Sequence, residues 1–179
     1  MLVVAYEKYD SSTAAPAGIY IQNCSLSYMQ CNVPVQISSD SKAISPSVVV
    51  DKAGVIRVFY ATPTGTPGSA WGDIYVTKST NMGSSFTTQV LVAASTSATT
   101  INSFPRAAID SVNHTIALVW NRLGVIRALA LNITDFDTNS TLFYTNVVTL
   151  DPSTGAASCI TGPLPPVLPI AMFLSHEIV

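Results

Sequence analysis

Four arginines, Arg57, Arg106, Arg122 and Arg127, are the groups in this chain best suited to grip an anion, because a guanidinium offers a two-pronged fork to a carboxylate. The two histidines stand far apart: His114 falls in a turn and His176 near the end of the sequence, so neither a His-based metal set nor a Ser-His-Asp arrangement is expected. Asp135 and Asp137 carry the oxygens that Ca²⁺ prefers, but an acidic turn is the expectation, and no metal site is predicted. Gly65-Thr66-Pro67-Gly68 is broken by proline and reads as a loop, not a phosphate cradle. No cofactor is expected.

Cys24 and Cys31 are spaced to close a disulfide across a hairpin loop; the alternative is two small buried thiols, and Cys159 stands alone. Four sequons, beginning at Asn23, Asn113, Asn132 and Asn139, are candidate N-glycosylation sites. Together they point to an oxidising environment, extracellular or within the secretory pathway.

Composition says which elements must position these groups. Of 179 residues 48% are hydrophobic and only 10% charged, well under the usual charged share of roughly 25%. Ser and Thr supply 40 residues, so the polar surface is built from hydroxyls, which strands tolerate better than helices. The eight basic residues are scattered and the net charge is −2, which argues against a nucleic-acid surface. The apolar run Gly162 to Leu174 contains Pro163, Pro165, Pro166 and Pro169 and falls short of the ~20 residues of a spanning helix, so no membrane span is predicted. The segment from Met1 to Tyr6 has no features of a signal peptide and reads as part of a strand, so the natural start of the chain is expected to lie upstream.

Short β-branched and aromatic runs bounded by Gly, Pro, Asn, Asp or Ser recur along the chain, and helix content is predicted to be near nil. Laid over one another, the runs repeat. Pro46-x4-Asp51 recurs as Pro105-x4-Asp110, 59 residues on, each followed by a turn and an apolar strand ending in an aromatic, Ile56 to Tyr60 and Ile116 to Trp120. Leu2 to Tyr6 is a third copy lacking the strand before it. Each unit holds four strands over about 55–60 residues, with boundaries near 1–43, 44–102 and 103–150. For the middle unit, strands are predicted near 46–51, 55–62, 72–79 and 87–94. Predicted core residues are Val48, Val50, Ile56, Val58, Tyr75, Phe86, Leu91, Ile109, Leu118 and Trp120. The Pro-rich segment 151–179 is expected to be an irregular tail.

Ser79-Thr80-Asn81-Met82-Gly83-Ser84-Ser85-Phe86 lies between the third and fourth strands of the middle unit. It resembles the Asp-box (Ser/Thr-x-Asp-x-Gly-x-Ser/Thr-Trp/Phe), the hairpin turn repeated in sialidase-like propellers and sortilin-type domains, with Asn81 in place of Asp. In such a turn Asn81 bonds backbone amides, Ser79 and Ser85 cap their neighbours, Gly83 takes a positive φ and Phe86 pins the hairpin. The resemblance covers about residues 1–150 and implies an all-β chain of about two and three-quarter four-stranded antiparallel blades. That is too few to close a ring, which takes at least about four. The remaining blades, or further copies, would complete it. In that family the box fastens the fold and lies away from the catalytic face.

A sialidase-like enzyme would be expected to bring three arginines to the substrate carboxylate, with an Asp acid/base and a Tyr activated by Glu. Arg106 opens what would be an innermost strand lining the central channel and is the best placed of the four for that role; a surface position at the start of a strand is its ordinary reading. Glu7 and Tyr9 have the residue types of the nucleophile pair and would share a strand face. No Asp occupies the loop Ser11 to Gly18. Three functions are open: an extracellular module binding glycans or proteins without catalysis, a piece of a sialidase-type exo-glycosidase with its catalytic residues mostly elsewhere, or a truncated product without function.

Overall fold

The structure, a computed structural model, describes residues 2–27, 30–63, 72–95, 101–138, 143, 147–150 and 157–158. The β-rich composition produces three antiparallel sheets that follow one another along the chain. The first contains β1 (Leu2–Tyr9) and β2 (Pro16–Ser25), with β3 (Gln30–Cys31) and β4 (Val35–Gln36) both paired to β2. Pro34 falls in the gap between β3 and β4, where its missing N–H would break a continuous ladder. The second sheet runs β5 (Ile44–Val50), β6 (Ile56–Pro63), β7 (Gly72–Ser79) and β8 (Val90–Ala93). The third runs β9 (Asn102–Asp110), β10 (Thr115–Arg122), β11 (Val125–Asn132), β12 (Val148–Leu150) and β13 (Ala157–Ser158).

The recurring Asp explains how the β5–β6 and β9–β10 turns close. Asp51 Oδ1 accepts the Val55 amide at 2.9 Å, and Asp110 Oδ1 accepts those of Val112 and Asn113 at 2.8 and 3.1 Å. A short carboxylate that satisfies turn amides is what Asp supplies at such corners.

β6 sits between two cores. Ile56, Val58 and Tyr60 face the first sheet and meet Ile19 and Ile21, while Phe59 and Ala61 face the third and meet Ile116, Leu118 and Leu129. A strand covered on both faces loses the apolar–polar alternation, so every residue from Ile56 to Ala61 is buried, Arg57 included. Of the predicted core, Ile56, Val58, Leu118 and Trp120 are buried. Val48, Val50, Tyr75, Phe86 and Ile109 are partly buried against one core or the other; Leu91 is half-buried outside both, and its neighbour Val92 is the residue that enters the core.

A six-residue helix, α1 (Ile133–Thr138), replaces the irregular acidic turn expected around Asp135 and Asp137. Asn132 caps it, its Oδ1 accepting the Thr134 amide at 2.9 Å, and Phe136 anchors it between Phe59 and Phe143 with ring centroids 5.5 and 4.8 Å away. β13 adds a fifth strand to the third sheet within the segment expected to be irregular, while 151–156 and 159–179, with Cys159 and His176, lie outside the described residues, as do Asn139 and the Gly65–Gly68 loop. Among the described residues no helix is long and apolar enough to cross a membrane.

Candidate functional site

The two inner strands share a distortion. The residue before each repeated proline takes a left-handed backbone, φ +55° at Ser45 and +51° at Phe104, and each ladder slips its register there. A residue preceding proline normally stays extended, and a bulky one at positive φ is strained, so the surrounding structure must enforce both bulges. Ties at the same end do this. The Ser45 amide donates to Glu7 Oε1 at 2.7 Å, and the Ala107 amide donates to Ser47 Oγ at 2.9 Å. Buried Asn102 accepts from Trp120 Nε1 at 3.0 Å and donates to the Ala94 carbonyl at 3.2 Å. The bulge buries Pro105 and turns Phe104 out, leaving the residue 59% exposed.

Glu7 and Tyr9 share a face and are bonded, Tyr9 Oη donating to Glu7 Oε2 at 2.9 Å. The hydrogen bond to Glu7 and the charge of its carboxylate raise the Tyr9 pKa. The arginines do not share partners. Arg106 Nη1 folds back onto the Pro105 carbonyl at 2.9 Å, Arg127 bonds Thr149 across β11–β12, and Arg122 ends β10 opposite Asn102.

Arg57, 1% exposed, holds a network that ties the second sheet to α1, which packs against β10 and β11. Its Nη1 donates to Asp51 Oδ2 at 2.9 Å, and its Nε and Nη2 donate to the two oxygens of Asp137 at 3.1 and 2.8 Å, with Lys78 Nζ 3.2 Å from Asp137. Burial pushes both carboxyl groups up, but the bonds and charge of Arg57, joined by Lys78 at Asp137, outweigh it and hold both below the usual value. A cleft of about 190 Å³ opens beside this network, lined in part by Lys78, Thr87, Phe136 and Asp137. Asp137 is thus an ion-pair partner, and among the described residues no cluster of three His, Cys, Asp or Glu could hold a metal.

In the turn 79–86, Ser79 Oγ donates to Asn81 Oδ1 at 2.8 Å and accepts the Gly83 amide at 2.8 Å. Asn81 Oδ1 also accepts the Ser85 amide at 3.0 Å, and Asn81 Nδ2 donates to Ser85 Oγ at 2.8 Å. Met82 and Gly83 follow at φ +57° and +82°, and Phe86 is partly buried against the core between the first two sheets. Cys24 and Cys31 are bonded, S–S 2.04 Å, across the β2–β3 hairpin. Asn113 and Asn132 are exposed, whereas Asn23 Nδ2 donates to the Met82 carbonyl.

Sequence reasoning did not find the Arg57 network, the Asn102–Trp120 tie or the Asn23–Met82 contact. The isolated Arg57 inside an apolar strand was the one signal for the first of these, since a buried guanidinium requires carboxylate partners. No protein-family model matches the chain, and no curated protein does.

Proposed function

We propose that the three sheets are blades of an extracellular, sialidase-like β-propeller segment that binds glycans or other proteins and has no catalysis of its own. The observation that supports this most is the repeated bulge at Ser45-Pro46 and Phe104-Pro105, which sets an exposed aromatic ring on a braced strand end. A flat ring on a rigid element stacks on a sugar face or an apolar side chain at little entropic cost. Further blades or copies complete the ring in this reading, and neither a cofactor nor a nucleic acid takes part.

The alternative, a fragment of a sialidase-type exo-glycosidase, draws on the Tyr9–Glu7 hydrogen bond. The separate engagements of the arginines weigh against it. A truncated product without function is the third reading, and cooperative unfolding of the purified chain would count against it. The test is binding of the chain to an immobilised glycan panel and to cell-surface protein extracts, alongside turnover of a fluorogenic sialoside. The module reading expects specific retention that Phe104→Ala weakens about tenfold with an unchanged melt. Sialoside turnover abolished by Tyr9→Phe would replace it with the enzyme reading, and retention indifferent to Phe104 would remove its basis.

A further inference from the structure

The turn 79–86 faces two ways. Its inner side is the Ser79–Asn81–Ser85 network; its outer side, shaped by the two left-handed residues, presents the Met82 carbonyl and the Gly83 backbone to the first sheet. Asn23 of β2 meets it. Its Nδ2 donates to the Met82 carbonyl, and its amide lies so close that a Cβ built on Gly83 would stand 2.6 Å from Nδ2 and 3.4 Å from Cγ and Oδ1. Among the described residues Asn23 Oδ1 has no partner and is shut off from solvent, in a cleft of about 230 Å³ whose walls include Asn32, Val35, Met82 and Ser84. The Asn23 backbone is fixed as well: it pairs with Val3 on one side, and its carbonyl accepts the Asn32 amide at 2.8 Å within the hairpin that Cys24–Cys31 closes.

Asn23 also opens the sequon Asn23-Cys24-Ser25. Glycosylation forms a bond from the sugar C1 of a lipid pyrophosphate-linked oligosaccharide to Nδ2; the pyrophosphate leaves and Nδ2 gives up one proton. That reaction needs the very nitrogen that Met82 and Gly83 enclose. We infer that Asn23 is a latch between the first and second sheets and that it stays unglycosylated in the folded chain, while Asn113 and Asn132 carry the glycans. Asn113 sits exposed in the β9–β10 turn, its Nδ2 donating within that turn to Asp110 Oδ2 at 2.6 Å, and Asn132 sits exposed at the cap of α1. The latch and the sugar are alternatives at one atom, so the outcome is set by whether the hairpin and the turn close before the sequon is modified. The glycan half of this inference rests on the secretory reading proposed above; the latch half does not.

Two experiments separate the halves. The whole chain, secreted from a eukaryotic host behind an added leader, is mapped for occupancy at each sequon by peptide mass spectrometry. The expected result is glycan at Asn113 and Asn132 with Asn23 at least tenfold less occupied, and a severalfold rise at Asn23 in Cys24→Ser/Cys31→Ser. Asn23 occupied as fully as Asn113 in monodisperse, protease-resistant protein would overturn the inference. The latch is read in unglycosylated protein made in an oxidising bacterial cytoplasm. Asn23→Ala and Gly83→Ala should each lower Tm by a few degrees, with the double variant losing less than their sum, whereas Ser25→Ala, which removes only the sequon, should leave Tm unchanged. Fully additive losses would overturn the latch, and glycan missing from Asn23, Asn113 and Asn132 alike with a non-additive cycle would overturn the glycan half and support the latch.

Discussion

Replacing Arg57 tests whether the second sheet and α1 are held by an ion network as well as by apolar contact. Arg57 is 1% exposed, and its guanidinium makes three charge-assisted hydrogen bonds, two to Asp137 and one to Asp51. Removing one partner of a buried pair costs about 3–5 kcal/mol, mostly because the remaining charge is stranded. Here the carboxylates are not fully enclosed: the Asp51 and Asp137 side chains are 11% and 22% exposed, and Lys78 stays 3.2 Å from Asp137. Water and Lys78 recover part of the loss, which places Arg57→Ala near the low end, about 3 kcal/mol. Urea unfolding at pH 7, followed by tryptophan fluorescence, measures it. Acid adds a second arm. Asp51 and Asp137 have folded pKa values below their unfolded value of 3.8, so their contribution is fully present above that value and is lost as pH falls through the lowered ones. The wild type should therefore weaken steeply below about pH 4, and Arg57→Met should flatten that limb. A loss under about 1 kcal/mol with an unchanged acid limb would refute the reasoning, because it would mean the carboxylates are as well hydrated in the fold as outside it.

Gly72→Ala should cost about 3 kcal/mol in the same assay, since the added Cβ would stand 2.2 Å from the backbone carbonyl oxygen of Asn102 and neither chain can yield cheaply. Ser79→Ala strands the buried Gly83 amide and should cost about 2 kcal/mol, with faster hydrogen exchange at Gly83 as a local readout. Asp10, whose pKa is lowered to about 2 by bonds from Ser12 and Thr13, should titrate by NMR with a midpoint near that value, and Ser12→Ala should move the midpoint upward.

The middle sheet was legible to within a few residues because its period, its Asp-closed corners and its Gly-bearing turn are all local signals. Strands expected at 46–51, 55–62 and 72–79 occur at 44–50, 56–63 and 72–79. The last begins at Val90 instead of 87, because Thr87 is taken up by the turn, its amide donating to the Lys78 carbonyl at 2.8 Å and its Oγ1 accepting the Lys78 amide at 3.2 Å. Arg57 was not placed because its meaning depends on Asp137, 80 positions away on a helix that periodicity did not reveal. α1 escaped notice because six residues carry less than two helical turns of pattern, and its existence depends on Phe136 finding Phe59 and Phe143. Asn23 was read for its sequon, and nothing local in Asn-Cys-Ser announces a turn 59 residues on. The candidate binding end was legible only as two prolines in register, since the strain before each belongs to the bulge and not to the residue type.

That last point bears on how such a chain can change. Serine occupies the kinked position in one strand and phenylalanine in the next, yet φ differs between them by only a few degrees. The backbone there is enforced by the braces around it, against the preference of a residue before proline, and it accommodates two different side chains without refolding the strand. The two repeats that carry the kink thus offer an interchangeable socket at the same point of the strand. A lineage, or an engineer, could exchange what is displayed there while the scaffold stays as it is.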